Sequence, residues 1–60
     1  MNYGLLEHRL LSKGFSARNM DIVSNEDGTF DVYFIENAYD ANFIVIVNSK
    51  YEIIKVIRIR

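Results

Sequence analysis

The segment Thr29–Glu36 has the sequence TFDVYFIE, in which every second side chain is strongly apolar. Successive side chains of an extended chain point to opposite sides. One side of this segment therefore carries Phe30, Val32 and Phe34. The other side carries Asp31, Tyr33 and Ile35. This alternation predicts a β-strand with one face against a hydrophobic core. The other predicted elements are placed relative to this strand.

Turn residues separate this strand from three other apolar segments. Residues 25–28, NEDG, predict a tight hairpin turn, because Asn and Asp bond to nearby amides and Gly supplies a positive φ. A first strand with Met20 and Ile22 in alternation precedes that turn. Residues 43–47, FIVIV, do not alternate and predict a strand covered on both faces. Residues 51–60, YEIIKVIRIR, predict a last strand with a β-bulge or with both faces in use.

The segment before the first strand has a helical period. Asn2 is the predicted N-cap of a helix that runs from Tyr3 to Lys13, and Gly14 with Phe15 predicts a Schellman ending. Leu5 lies nearly opposite the apolar side of this helix, which predicts an exposed side chain. The side predicted to lie on the sheet carries Tyr3, Leu6, Leu10 and Leu11.

These elements predict a single α+β domain over residues 1–60, with one N-terminal helix on a four-stranded antiparallel meander (α-β-β-β-β). The predicted core consists of Leu6, Leu10, Phe15, Ile22, Phe30, Val32, Phe34, Val45, Ile53 and Ile57. One helix covers only one face of a sheet. A domain of this size buries only about 60% of its unfolded surface, and without Cys it has no disulfide or zinc-thiolate site, so we expect a partner surface to add stability.

Residues that could carry chemistry are few and isolated. His8, the single His, has no nucleophile or metal ligand three or four residues further on. The acids around residues 25–28 do not form an EF-hand, because Val23 and Phe34 would occupy its first and twelfth positions. The three glycines are too scattered for a phosphate loop. We therefore predict a protein that is not an enzyme and that uses no metal or cofactor.

The charges are balanced in number but segregated along the chain. The net charge is −1, yet residues 19–49 contain six acids and no Lys or Arg, whereas four of the seven basic residues lie in residues 50–60. The balanced total disfavours nucleic acid as a partner. The longest apolar run, Phe43–Val47, is too short to span a bilayer, and the N-terminal residues lack a signal-peptide pattern. We expect a cytoplasmic protein that contacts no membrane.

Surplus apolar sheet surface and segregated charge are typical of recognition surfaces. We therefore predict a small inhibitor or accessory factor that binds another protein, for example at the basic nucleic-acid groove of an enzyme. The predicted partner-binding residues are Asp31, Tyr33, Ile35, Glu36, Tyr39 and Asp40. The alternative is binding of single-stranded nucleic acid, with phosphate contacts from the basic C-terminal strand. Base stacking would then use Phe30, Tyr33, Phe34, Phe43 and Tyr51.

The last strand predicts self-association, because it is a long apolar edge of the kind that natural sheets seldom leave bare. Lys55, Arg58 and Arg60 could instead keep this edge monomeric. The predicted interface of a two-fold homodimer consists of Ile54, Val56 and Arg58.

The order of these elements resembles the PepSY-type small α+β module over most of the chain. The matching features are a helix, a strand, the Asp27-Gly28 turn, FxVxF at 30–34, FxVxV at 43–47 and YEIIKV at 51–56. PepSY modules commonly carry Asp followed by Thr-Gly in the last turn, where this chain has NSK at 48–50. They usually occur in secreted or membrane proteins. The resemblance implies binding or inhibition of a partner enzyme and transfers no site residues.

The residue usage, rich in Asn, Ile, Lys and Tyr, is also similar to that of small accessory proteins of phages and mobile elements. Many of those proteins inhibit host enzymes or immune systems, so this similarity likewise implies an inhibitor.

Overall fold

The fold is one helix followed by a four-stranded meander. A computed structural model describes residues 1–17, 19–36 and 38–60, so Arg18 and Asn37, which lie in two of the predicted connections, fall outside the described residues. The elements are α1 (Tyr3–Leu11), β1 (Asp21–Ser24), β2 (Phe30–Glu36), β3 (Ala41–Val47) and β4 (Ile53–Arg58). The strands form one antiparallel sheet in the order β1-β2-β3-β4, which confirms the predicted α-β-β-β-β architecture.

Both ends of α1 carry the predicted capping residues, but the helix ends at Leu11, two residues before the predicted end at Lys13. The Asn2 side chain accepts a hydrogen bond from Leu5 N at 3.1 Å and so caps the first turn. At the other end Gly14 adopts a φ of +90°. Phe15 N then donates to Leu10 O at 3.0 Å, which is the long bond of a Schellman motif.

The buried side of α1 is narrower than its sequence predicts. Leu6 and Leu10, one turn apart, are fully buried, as predicted. The prediction is wrong for Tyr3 and Leu11, which are 58% and 61% exposed, and Leu5 is half-buried rather than exposed. Leu11 lies about 100° further round the helix than Leu10, beyond the line that faces the sheet.

The core lies between α1 and one face of the sheet. Its buried side chains are Leu6, Leu10, Ala17, Val32, Phe34, Ala41, Phe43, Val45 and Val47, with Phe15, Met20, Ile22, Phe30, Tyr51 and Ile53 packed against them. Phe15 closes one end, with its ring 5.5 Å from Phe34 and 5.1 Å from Phe43 between centroids. Tyr51 closes the other end, because its ring stacks on Phe30 at 6.3 Å and its hydroxyl accepts a hydrogen bond from Asn2 N at 2.9 Å.

A β-bulge interrupts the pairing of β3 with β4. Val47 pairs with Ile53, but Ile46 pairs with Lys55, so Ile54 is the extra residue. The bulge was one of the two arrangements that the sequence of the last strand predicts. It reverses the direction in which every later side chain of β4 points.

Ile57 is the one predicted core residue that the bulge displaces. Simple alternation would place Ile57 on the same side as Ile53, facing α1. After the bulge it pairs with Ile44 instead, on the opposite face of the sheet, where it is 36% exposed. The prediction of a core position for Ile57 is therefore wrong.

The turn between β1 and β2 has the predicted chemistry at Asp27 and Gly28, whereas the Asn25 side chain donates to Thr29 Oγ1 and Asp31 Oδ1 instead of bonding to an amide. Gly28 has a φ of +88°, and Asn25 N donates to Thr29 O at 2.8 Å. The Thr29 hydroxyl and Thr29 N both donate to Asp27 Oδ1, and the hydroxyl bond, followed by the amide bond, lowers the pKa of Asp27. Because folding lowers this pKa, the bonds add stability above the unfolded-state pKa, and that contribution is lost as pH falls through the folded-state pKa.

Candidate interaction surface

The sheet face that points away from α1 carries no other described element. The strand registers arrange its side chains in three rows across the sheet. We call these residues the open face. The middle row is Asp21, Tyr33, Ile44 and Ile57, one flanking row is Val23, Asp31, Ile46 and Lys55, and the other flanking row is Ile35, Asn42 and Ile59.

Apolar side chains dominate the open face. Val23, Ile35 and Ile59, near its margins, are each at least half exposed. Tyr33 and Ile44 in the centre are half-buried, because they shield one another on adjacent strands. Single exposed apolar residues are common, but a contiguous exposed apolar patch on a small domain is typical of an interaction site for a protein or another ligand.

The sequence predicts that β3 is covered on both faces, but only its face towards α1 is covered. The side chains of β3 that face α1 are buried, whereas Ile44 and Ile46 on the open face are half-buried by their neighbours in the sheet. Within the described ranges nothing packs over them from above.

Charge on the open face is separated to its two sides. Asp21 and Asp31 lie on β1 and β2, and the Asp31 carboxylate accepts a hydrogen bond from Asn25 Nδ2 at 2.9 Å. Lys55 lies on β4, at the far side of the sheet. The open face is therefore apolar in the middle, acidic towards β1 and basic towards β4.

The predicted partner-binding residues do not all lie on this surface. Asp31, Tyr33 and Ile35 alternate with buried residues of β2 and belong to the open face. Tyr39 lies on the α1 side, because its ring packs on Phe15 at 6.3 Å and its hydroxyl donates to Gly14 O at 3.4 Å. Asp40 is exposed in the turn between β2 and β3 with a φ of +48°. The structure thus separates this set into two groups on different sides of the sheet.

Glu36 is buried, so its predicted role on the surface is wrong. It follows Phe34 by two residues and therefore faces α1, where it is 2% exposed. Its Oε2 accepts a hydrogen bond from Ser16 N at 2.8 Å. Glu36 joins the segment after α1 to the sheet and is not available to a partner.

We expect Glu36→Ala to lower the free energy of unfolding by about 1–3 kcal/mol, because it leaves the amide of Ser16 without its acceptor. Glu36→Gln keeps an oxygen acceptor in place and should have a smaller effect. Urea titration followed by circular dichroism measures both variants. Glu26→Ala, an exposed change in the first turn, is the matched control. Equal stability of the Glu36→Ala and Glu26→Ala variants would show that the bond adds nothing.

The predicted self-association residues lie along β4. Val56 pairs with Val45 and Arg58 with Phe43, so both point to the α1 side, and Ile54 is the bulge residue. All three are exposed. A bulge, a Lys and an Arg on an edge strand are features that natural sheets use to prevent edge-to-edge pairing.

The aromatic side chains do not form a stacking platform on the open face. Phe34 and Phe43 are buried beneath α1, and Phe30 and Tyr51 stack on each other on that same side. Tyr33 alone, among the residues predicted to stack on bases, belongs to the open face.

The rest of the described chain offers little for chemistry or membrane insertion. The groove beside the C-terminal end of α1 contains Glu7 as the single titratable residue among its described lining residues, and His8 lies exposed on the helix. In residues 1–17, 19–36 and 38–60, no three His, Asp or Glu side chains are placed to hold a metal ion. None of the helices in those ranges is long and apolar enough to cross a membrane.

No family model, curated protein or solved structure matches this chain. The resemblance to PepSY modules therefore stays a prediction, and the proposal on function is argued from the geometry of the open face.

Proposed function

We propose that this protein is a non-enzymatic interaction domain that binds another protein through the open face. The observation that carries the proposal is the apolar centre of the open face, where Tyr33, Ile44 and Ile57 lie side by side on β2, β3 and β4. Burial of apolar area is the main source of stability for so small a domain. An apolar centre of Ile and Tyr side chains left outside the core is therefore best explained as a binding surface.

The role of this binding is that of a small inhibitor or accessory factor. Asp21 and Asp31 on the β1 side suit a partner whose surface is basic where it meets them. A basic nucleic-acid groove of an enzyme is such a surface, as is the basic side of another small domain. The chain contains no Cys, which fits the reducing cytoplasm that we propose as its location.

Capture of partners from cells of the source organism tests the proposal. We expect Ile35→Asp to reduce recovery of specific partners at least tenfold, because it places a charge in the apolar contact. Ile35 is 55% exposed, so the change leaves the core intact. Leu11→Asp, at an equally exposed position on α1, is the control and should recover the same partners as the wild-type chain.

Equal recovery with both variants would exclude the open face as the binding surface. Recovery of no protein, together with binding of single-stranded nucleic acid that weakens steeply with salt, would support the alternative function.

A further inference from the structure

The open face is complementary to itself in charge, and we propose that a second copy of this chain covers it, sheet against sheet. This inference rests on the proposed function, because it names the protein that the open face binds when no other partner is present. The occupant follows from where the registers place Asp21, Asp31 and Lys55.

Two sheets that pack face to face with aligned strands can be related by a two-fold axis in one of two directions. An axis along the strands places β1 over β4 of the second copy and β2 over β3. An axis across the strands places each strand over its own copy. The order β1-β2-β3-β4 makes these two arrangements bring different residues together.

The charges favour the axis along the strands. In that arrangement Lys55 of the second copy comes over Val23, which lies in the same row. Asp21 then flanks the ammonium group along β1, and Asp31 flanks it on the adjacent strand. Symmetry provides the same contact a second time. The other arrangement brings the acidic strands of the two copies together and gives Lys55 no opposing acid, which is unfavourable.

The apolar middle of the open face is complementary in the same arrangement. Tyr33 of one copy comes over Ile44 of the other, twice, at the spacing of about 10 Å that packed sheets adopt. Strands about 4.8 Å apart and about 20 Å long give a projected footprint of roughly 400 Å² per copy. The two copies together therefore cover roughly 800 Å², which is less than most specific interfaces cover and is typical of weak, transient ones, so we expect association only at high micromolar concentration.

The test uses sedimentation of the full chain over a range of micromolar concentrations. The wild-type chain should show a monomer and a dimer of twice 7.0 kDa in equilibrium. Two variants alter the charges of the open face. The acidic variant is Lys55→Glu, and the basic variant combines Asp21→Lys with Asp31→Lys. Each alone should dimerise at least tenfold more weakly, because like charges then meet at both contacts.

An equimolar mixture of the two variants should associate as tightly as the wild-type chain. In the mixed dimer one contact pairs the glutamate of the acidic variant with the two new lysines of the basic variant. The other contact keeps Lys55 with two aspartates. Asp31 accepts a bond from Asn25, so Asp21→Lys alone replaces the basic variant if the double change does not fold. Rescue by mixing is a result that a merely structural effect of either variant would not produce.

Three results would overturn the inference. In the first, the wild-type chain stays monomeric while Ile35→Asp still abolishes partner capture. That result would support the proposed function and would exclude a second copy as the occupant of the open face. A dimer that Val56→Asp dissociates and Lys55→Glu does not would be a dimer through the C-terminal strand. A dimer that both charge variants weaken but mixing does not rescue would have a different register.

Discussion

Phe34→Ala is expected to lower the free energy of unfolding by about 3–5 kcal/mol. The Phe34 ring is 1% exposed and packs against Phe15 and Phe43, with centroids at 5.5 and 5.8 Å. Its removal leaves a cavity at the centre of the core, where the rigid strands on both sides limit collapse. A chain of this length has a total stability of about 3–9 kcal/mol, so the variant should be largely unfolded.

Ile35→Ala is the control for this prediction, because Ile35 is the next residue of β2 and points to the open face. We expect it to change the stability of the monomer by less than about 1 kcal/mol. Urea titration followed by circular dichroism, at a concentration low enough to keep the chain monomeric, compares the two variants. A Phe34→Ala variant as stable as the wild-type chain would show that the core is assigned wrongly.

Leu10→Ala is expected to have the second largest effect, a loss of about 2–5 kcal/mol. Only Leu6 and Leu10 are fully buried on α1, so this change removes one of the two side chains that anchor the helix in the core. A helix of nine residues does not persist in water by itself. Loss of the Leu10 side chain should therefore release α1 from the sheet and melt it, with loss of the helical circular dichroism signal.

Leu11→Ala is the matched control for Leu10→Ala. It is the same substitution one residue further along α1, at a position 61% exposed, so its effect should stay within about 0.5 kcal/mol. Equal destabilisation by the two changes would contradict the buried side of α1 that the structure shows.

The parts of the fold that depend on local chemistry are the parts that the sequence predicts. The roles of Asn2 and Gly14 at the ends of α1 could be predicted, because the hydrogen bonds at both ends join residues only a few positions apart. The NEDG turn is equally local. Alternation along β4 predicts the wrong face for Ile57, because the bulge at Ile54 depends on how β4 aligns with β3, which the sequence of β4 alone does not specify.

The open face could be predicted in part. Asp31, Tyr33 and Ile35 follow from the alternation in β2. Ile44 and Ile46 could not be placed on the open face, because β3 is apolar at every position from 43 to 47 and its sequence does not indicate which side is uncovered. The burial of Glu36 could be predicted from the sequence, because Glu36 follows Phe34 by two residues and so lies on the same side of β2. The position of Tyr39 could not be predicted, because its contact with Gly14 joins residues 25 positions apart.

The meander places every pair of adjacent strands next to each other in sequence. Short connections close at little cost in chain entropy, so a sheet with this topology is expected to form quickly. The hydrogen bond from Asn2 N to the Tyr51 hydroxyl instead joins residues 49 positions apart, and α1 can be docked at that end only after the last turn exists. The sheet is therefore expected to form before α1 covers it. During that interval both of its apolar faces are exposed, so the nascent chain is most prone to aggregation in the moments before its helix docks.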